Sequence, residues 1–549
     1  MRILFTLLCL LWSASLLSAQ SFTELLGRPT DVSVTVNILF DQEVEVYWEF
    51  GTSPNTYPQQ TPTFSTSLNL PLEADLTALK PNTRYYYRTR YRAKGSTGAF
   101  LAGTERSFQT QRSQTSTFSF AVEADPHLDE NTIPASYSQT LKHIFSKQPD
   151  FLIDLGDIFM SEKLPVINQE EITKRHLLYR PYFNEVSHSV PLFLAMGNHE
   201  GELGWRLDGK ETSLPVMAAN TRKLYYPNPV PNHFYSGNTV SENFVGLREN
   251  YYAWEWGNAL FIVLDPYWYT VKKPEWGWTL GQAQYNWLRN TLATSKATFK
   301  FVFAHQLLAG GNEGRGGTEV AHLHEMGGQN TDGSWGFSAQ RPGWEKPIHE
   351  LLKATNVSIY FHGHDHFYGK QDKDGVVYQE VPQPSSRNIT NVTGLEYGYK
   401  EGILRANRGY LLVTVSPTQA KVEYIRTYLP NEENASRKNG DIEYTYTIQA
   451  SAVSNEETPL PIFDLAQNFP NPYQQATNIS YTIFSAQQVK LQVFDVLGRK
   501  VATLVEDTQS AGTYTIPINA PELGLQSGVY LYRLTVGQQT QTRKMSVVH

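Results

Sequence analysis

Five short apolar runs each end in a group of metal-seeking side chains, and this order constrains the fold more than any other feature. FSFAV leads to Asp125-Pro126-His127, DFLIDL to Gly156-Asp157, and PLFLAM to Gly197-Asn198-His199-Glu200. FKFVFA leads to His305, and VSIYF to Gly363-His364-Asp365-His366. A short apolar run bounded by turn residues reads as a buried strand. In open α/β sheets, ligand sites lie outside the carboxyl ends of strands. The pattern therefore predicts strand ends that bring these side chains to one edge. Asp, His and Asn together suit divalent cations, with positions left open for water and substrate. Two cations about 3.5–4 Å apart need a shared ligand. Asp157, behind the tight turn at Gly156, is the natural bridge. In His364-Asp365-His366, alternate side chains share one side of an extended segment, so both imidazoles reach one cluster. Such chemistry points to hydrolysis of a phosphate ester.

At 549 residues the chain is too long for one ordinary domain. A net charge of −7 lacks the basic footprint of a general nucleic-acid binder. An anionic small substrate remains compatible, because bound cations reverse the local field. Met1-Arg2, the apolar stretch Ile3 to Leu17 and Ser18-Ala19-Gln20 read as a secretory signal peptide over 1–19. The run is short for a membrane anchor. Cys9 lies in this leader, so the mature chain has no cysteine and depends on its cores and metals. No later segment is long and apolar enough to span a bilayer.

Residues 24–112 alternate in the β manner, as in Val32, Val34, Val36, Ile38 and Val44, Val46, Trp48, Phe50. Residues 116–428 alternate strands with helical segments such as 136–146, 170–186, 279–294 and 344–354, which argues an α/β layer structure. A hairpin at 409–416 and 419–428 closes it. Residues 429–459 are polar and read as a linker, with some strand around Tyr444 to Ile448. Residues 460–549 are again β-patterned, with Val489, Leu491 and Val493 alternating before a turn at Leu497-Gly498-Arg499.

The five motifs resemble those of the calcineurin-like metallophosphoesterases: Asp-x-His, Gly-Asp, Gly-Asn-His-Asp/Glu, a lone His, then Gly-His-x-His. The resemblance implies a four-layer αββα core and two divalent metal ions. It implies that Asp125, His127 and His366 hold one ion, Asn198, His305 and His364 the other, and that Asp157 bridges them. A water or hydroxide between the ions would attack phosphorus. His199 would protonate the leaving oxygen, with Glu200 orienting it. The turn at Pro81-Asn82 and the following Tyr85-Tyr86-Tyr87 resemble a fibronectin type III sandwich, or the front domain of purple acid phosphatases. That group has Asp-x-Gly first and a tyrosine three residues after the bridging aspartate. Here His127 and Met160 stand in those places. The expected metals are manganese, zinc or ferrous iron.

Other residues carry weaker readings. The Tyr- and Pro-rich insertion after Glu200 reads as a lid or a surface decoration. Tyr267-Trp268-Tyr269 and Trp276-Gly277-Trp278 read as core packing or loop anchors rather than a stacking platform. Arg315, in a Gly-rich loop, reads as solvated rather than phosphate-binding. His322 and His324 read as surface, and His362 as core or as support for the ligands.

Gln467-Asn468-Phe469-Pro470-Asn471-Pro472, Val493 to Val501, Ser527 to Leu534 and Lys544 together resemble the type IX secretion sorting domain (type A). Alternating strands with Gly turns would equally suit a small carbohydrate-binding sandwich. The expectation is thus an α/β αββα core flanked by two small all-β sandwiches. It would be exported through the periplasm of a Gram-negative bacterium to the surface or medium by the type IX machinery. The favoured substrate is a small phosphomonoester, with phosphodiester or nucleotide cleavage as the alternative. A surface binding module with a structural metal site is the reading from another class.

Overall fold

The computed structural model describes residues 21–309, 313–450, 463–483, 487–510, 512–537 and 539–548. The leader at 1–19 lies outside the described residues, as do 310–312 of the Gly-rich loop and 451–459 of the expected linker. The chain divides into two compact units, one of 21–335 and 346–450, the other of 336–345 and 463–548.

In the first unit, the amino-terminal strands form two facing sheets. Phe22–Gly27, Val34–Phe40 and Leu72–Leu76 make one, and the other is built around Val44–Gly51 paired with Arg84–Ala93. Their alternate side chains, among them Val34, Val36, Ile38, Val46, Trp48 and Tyr87, fill a common core. This is what period-two patterning dictates when one face of each sheet is buried. Val32 falls outside this core, 39% exposed ahead of the strand.

The central part contains two larger sheets. One runs in the order Leu192–Leu194, Leu152–Asp154, Phe118–Glu123, Gly409–Val415, Gln419–Arg426, Ile442–Gln449. The first three of these strands are mutually parallel. The second sheet has eight strands, with Ala259–Val263, Phe299–Phe303 and Ile359–His362 parallel at its centre. The facing sides interlock through Phe120, Phe151, Trp254, Phe261, Phe303 and Phe361. Helices Pro134–Lys147 and Gln169–Ser187 cover the outer side of the first sheet. Helices Gly281–Thr294 and Ile348–Ala354 lie on the second, where the Lys300 ammonium donates to the carbonyls of Leu292 and Thr355. The result is the four-layer αββα arrangement. The helix expected over 344–354 starts only at Ile348, because Pro347 sets its entry.

The stretch read as a linker from 429 requires a correction. Ile442–Gln449 is an edge strand paired along Gln419–Arg426, so the sheet extends well past 428. Its polar look comes from the solvent side of an edge: Glu443, Thr445 and Thr447 are exposed, and Tyr444, Tyr446 and Ile448 pack on the core.

The second unit contains a three-stranded sheet (Phe463–Leu465, Ala476–Ile483, Gly512–Asn519) and a four-stranded one (Lys500–Gln509, Gln487–Asp495, Gly528–Val536, Gln539–Val547). Val489, Leu491, Val493, Tyr532 and Leu534 lie in their shared core. No helix among the described residues is long and apolar enough to cross a membrane.

Candidate metal centre

The parallel strands of both sheets end at the same rim, and the loops that follow carry the seven expected ligands. Asp125, His127, Asp157, His364 and His366 all have positive φ, between 49° and 77°. Such backbone is costly for residues with a Cβ and marks functional turns. Asp125 Oδ2 accepts the backbone N–H of His364 at 2.9 Å, and Asp157 Oδ1 accepts that of His199 at 2.8 Å. Each carboxylate thus uses one oxygen to tie distant loops and turns the other inward.

The inward atoms fall into two groups. Ligand atoms of Asp125, His127 and His366 lie within 4.8 Å of one another, and so do those of Asp157, His305 and His364. Asp157 Oδ2 sits between the groups, 3.6 Å from His127 Nε2 and 3.1 Å from His305 Nε2. Asp125 Oδ1 lies 3.2 Å from His366 Nε2. His305 Nδ1 approaches the Leu155 carbonyl at 3.0 Å, which leaves Nε2 facing the group. Three buried atoms that point here, Asp125 Oδ1, His127 Nε2 and Asn198 Oδ1, have no hydrogen-bond partner. Buried polar atoms are rarely left unpaired, so this donor set fits cations.

Electrostatics agree. Burial opposes ionisation of Asp125, yet His366 and His305 hold its carboxyl well below the ordinary range. Asp157 behaves alike through His199 and His305. His305 is disfavoured as a cation by burial, but Asp157 and Asp125 push it up to about 9. Burial, followed by the charges of His305 and Arg315, pushes His364 well down. A buried pair of anionic carboxylates therefore holds positive charge in its midst.

His199 Nδ1 lies 2.6 Å from Glu162 Oε1, and its Nε2 is 3.8 Å from Asp157 Oδ2. Glu162, not Glu200, orients this ring. The Glu200 carboxylate accepts backbone N–H groups of Asp157, Ile158 and Gly197, so it braces two ligand loops and corrects the expectation. Burial first, then Asp157, pushes Glu200 up to about 7. Glu162 escaped sequence reasoning because it sits in a single turn of 3-10 helix with no periodic signal.

Supporting contacts come from farther away. Arg175 Nη2 and the Tyr179 hydroxyl both donate to the His127 carbonyl from helix Gln169–Ser187. Gln383 Nε2 donates to the Asp125 carbonyl at 2.8 Å. Arg315 is not a solvated loop residue. Its Nη1 donates to the His364 carbonyl at 2.7 Å and to Asp365 Oδ1 at 2.9 Å. His324 is not on the surface: it is buried, with Nδ1 3.2 Å from the Ala309 carbonyl, whereas His322 is exposed. His362 is buried, and its Nδ1 approaches Glu380 Oε2 to 2.7 Å beneath the ligand loop.

The centre opens into a cavity of about 870 Å³. Lys163, Leu164, Pro165, Arg175, His199 and Arg315 are among its walls. None of the insertion from 201 to 258 lines it. That segment is anchored instead by a buried ionic network, in which Glu202 holds Arg222 and Arg248, and Arg248 reaches Asp265. Tyr267, Trp268 and Trp278 are buried and do not line the cavity, and Trp276 donates to Asn330 Oδ1 at 2.7 Å.

Fold and site together define a metal-dependent phosphoric ester hydrolase. Residues 118–368 match the calcineurin-like phosphoesterase family, and residues 467–548 match the secretion system C-terminal sorting domain. The sorting domain marks the chain for secretion or the cell surface through the type IX machinery. Among solved structures, PhoD is similar at 17% identity and a TM-score of 0.58, covering 78% of this chain and 90% of that one. A purple acid phosphatase from yellow lupin (Lupinus luteus) seeds is similar at 14% identity and a TM-score of 0.53, covering 78% and 74%. These likenesses concern the fold. No curated protein matches the chain.

Proposed function

We propose that this chain is an exported phosphatase that hydrolyses phosphomonoesters at a dinuclear metal centre. The observation that carries the reading is the position of Asp157 Oδ2 between two imidazole groups, 3.6 and 3.1 Å away. Asp125, His127 and His366 would hold one ion, Asn198, His305 and His364 the other, and Asp157 both. Two such ions, when bound, activate water and offset charge on the phosphoryl oxygens. His199 faces the cavity and donates its Nε2 proton to the leaving oxygen, which suits an imidazole near neutral pH. Glu162 fixes the ring through Nδ1. Glu200 keeps the loops of Asp157 and Asn198 in register.

The metals are manganese, zinc or ferrous iron. Metal analysis of purified enzyme is expected to give two ions per chain, and Asp157→Asn to lose metal and hydrolysis together. Unchanged hydrolysis in Asp157→Asn would instead favour a binding module with a structural metal site. His199→Ala should slow esters with poor leaving groups about 100-fold and activated aryl esters far less. Equal losses would remove the proton-donor role. The roughly 870 Å³ cavity also admits a second ester arm, so phosphodiester or nucleotide cleavage is the alternative. Turnover of an aryl phosphate monoester against the matching diester separates the two.

A further inference from the structure

Away from the ligand loops, two segments converge on a second group of donor atoms. Helix Ile348–Ala354 contributes His349 and Glu350, and the turn between strands Tyr368–Lys373 and Val376–Glu380 contributes Asp374. One ligand atom from each of these three side chains lies within 4.8 Å of the others. His349 Nε2 is 2.8 Å from Asp374 Oδ2. The other ring nitrogen, Nδ1, is 2.7 Å from the Tyr378 hydroxyl. A cavity of about 390 Å³ adjoins the group, and His322 from the turn opposite lines it.

We propose that His349, Glu350 and Asp374 form a peripheral site for zinc or a similar borderline divalent cation, with His322 beside it. One imidazole and two carboxylates are a donor set that such ions take in tetrahedral sites. His349 is buried, so its ring is already held, and Tyr378 supports Nδ1 in the manner of groups that orient a ligating histidine. With Nδ1–H donated to Tyr378, Nε2 offers its lone pair to the cation. Asp374 and Glu350 are about half exposed, at 46% and 49%, which leaves an entry path. The nearby ammonium groups do not close the site. Lys353 Nζ is 3.9 Å from Glu350, at the outer limit of pairing, and Lys373 lines the cavity. Bound there, a cation would clip the helix to the hairpin. None of the residues lining the hydrolytic cavity lines this one.

The alternative is a plain imidazole–carboxylate hydrogen bond in which Nε2–H donates to Asp374. Zinc counting on the full-length protein separates them. Wild type and Asp374→Asn are equilibrated with micromolar zinc, freed of loosely held ion and analysed for metal per chain. Taking the difference cancels whatever the hydrolytic centre holds. Asp374 is half exposed and at positive φ, which asparagine tolerates, so the variant folds. The wild type should carry one zinc more than Asp374→Asn, and Glu350→Gln should weaken this extra binding tenfold or more. Hydrolysis should be unchanged in both variants. Equal zinc counts in wild type and Asp374→Asn would overturn the site.

Discussion

Single side chains here divide labour in a way that substitution can separate. Glu162 touches the His199 ring and Glu200 touches backbone N–H groups. Glu162→Gln should therefore lower kcat about tenfold on esters with poor leaving groups and far less on activated ones, with bound metal unchanged. Glu200→Gln should instead lower metal retention and Tm, because an amide cannot accept so many N–H groups from Asp157, Ile158 and Gly197. Steady-state kinetics with two leaving groups, alongside metal analysis, checks both. The donor groups were legible in the sequence because each follows an apolar strand run and the strands end together. Glu162 was not, since its contact depends on how one loop folds over another. Residues 322–324 show the same limit: only packing decides that His324 turns inward and His322 outward.

At the scale of elements, the insertion after Glu200 is fastened by charge. Glu202, Arg222 and Arg248 are all fully buried, and Glu202 receives both guanidinium groups. Breaking such a network strands unpaired charge. Glu202→Ala should cost about 3–5 kcal/mol in denaturant unfolding and speed hydrogen exchange across 202–250. The composition of the insertion suggested a lid or a decoration because tyrosine, proline and asparagine are loop formers. Its anchor is invisible in sequence, since the paired charges stand 20 and 46 residues apart. Strand Ile442–Gln449 was half legible: its Tyr-Thr alternation signals a strand, and its exposed polar face imitates a linker.

At the scale of the whole first unit, the front sandwich is bound to the catalytic layers through helix Gln169–Ser187. Arg180 donates to Asn37 Oδ1 at 2.8 Å and to Thr23 Oγ1 at 3.0 Å, and Asn184 accepts the Glu24 N–H. The same helix carries Arg175 and Tyr179, which hold the His127 carbonyl. At this junction Glu24 is fully buried, and burial raises its carboxyl above the ordinary value despite donors from Thr89, Trp48 and Tyr87. A carboxyl raised on folding contributes stability that is fully present below its unfolded value of 4.5 and is lost as pH climbs through the folded value. Glu24→Gln should remove this slope. Its Tm relative to wild type should rise as pH climbs above 4.5, as thermal melts over a pH series would record. For the second unit, mass analysis of the released protein should show residues 460–549 removed. Retention would count against a sorting role.

The turns that bear Asp157 and Asn198 press against each other at glycine. A Cβ on Gly156 would stand 2.4 Å from the Gly197 nitrogen, and one on Gly197 would stand 2.3 Å from the Asp157 nitrogen. Neither turn can accept a methyl group without displacing its neighbour. Evolution, or an engineer, therefore cannot retune one half of this centre while sparing the other; whatever loosens either grip shifts both donor loops at once.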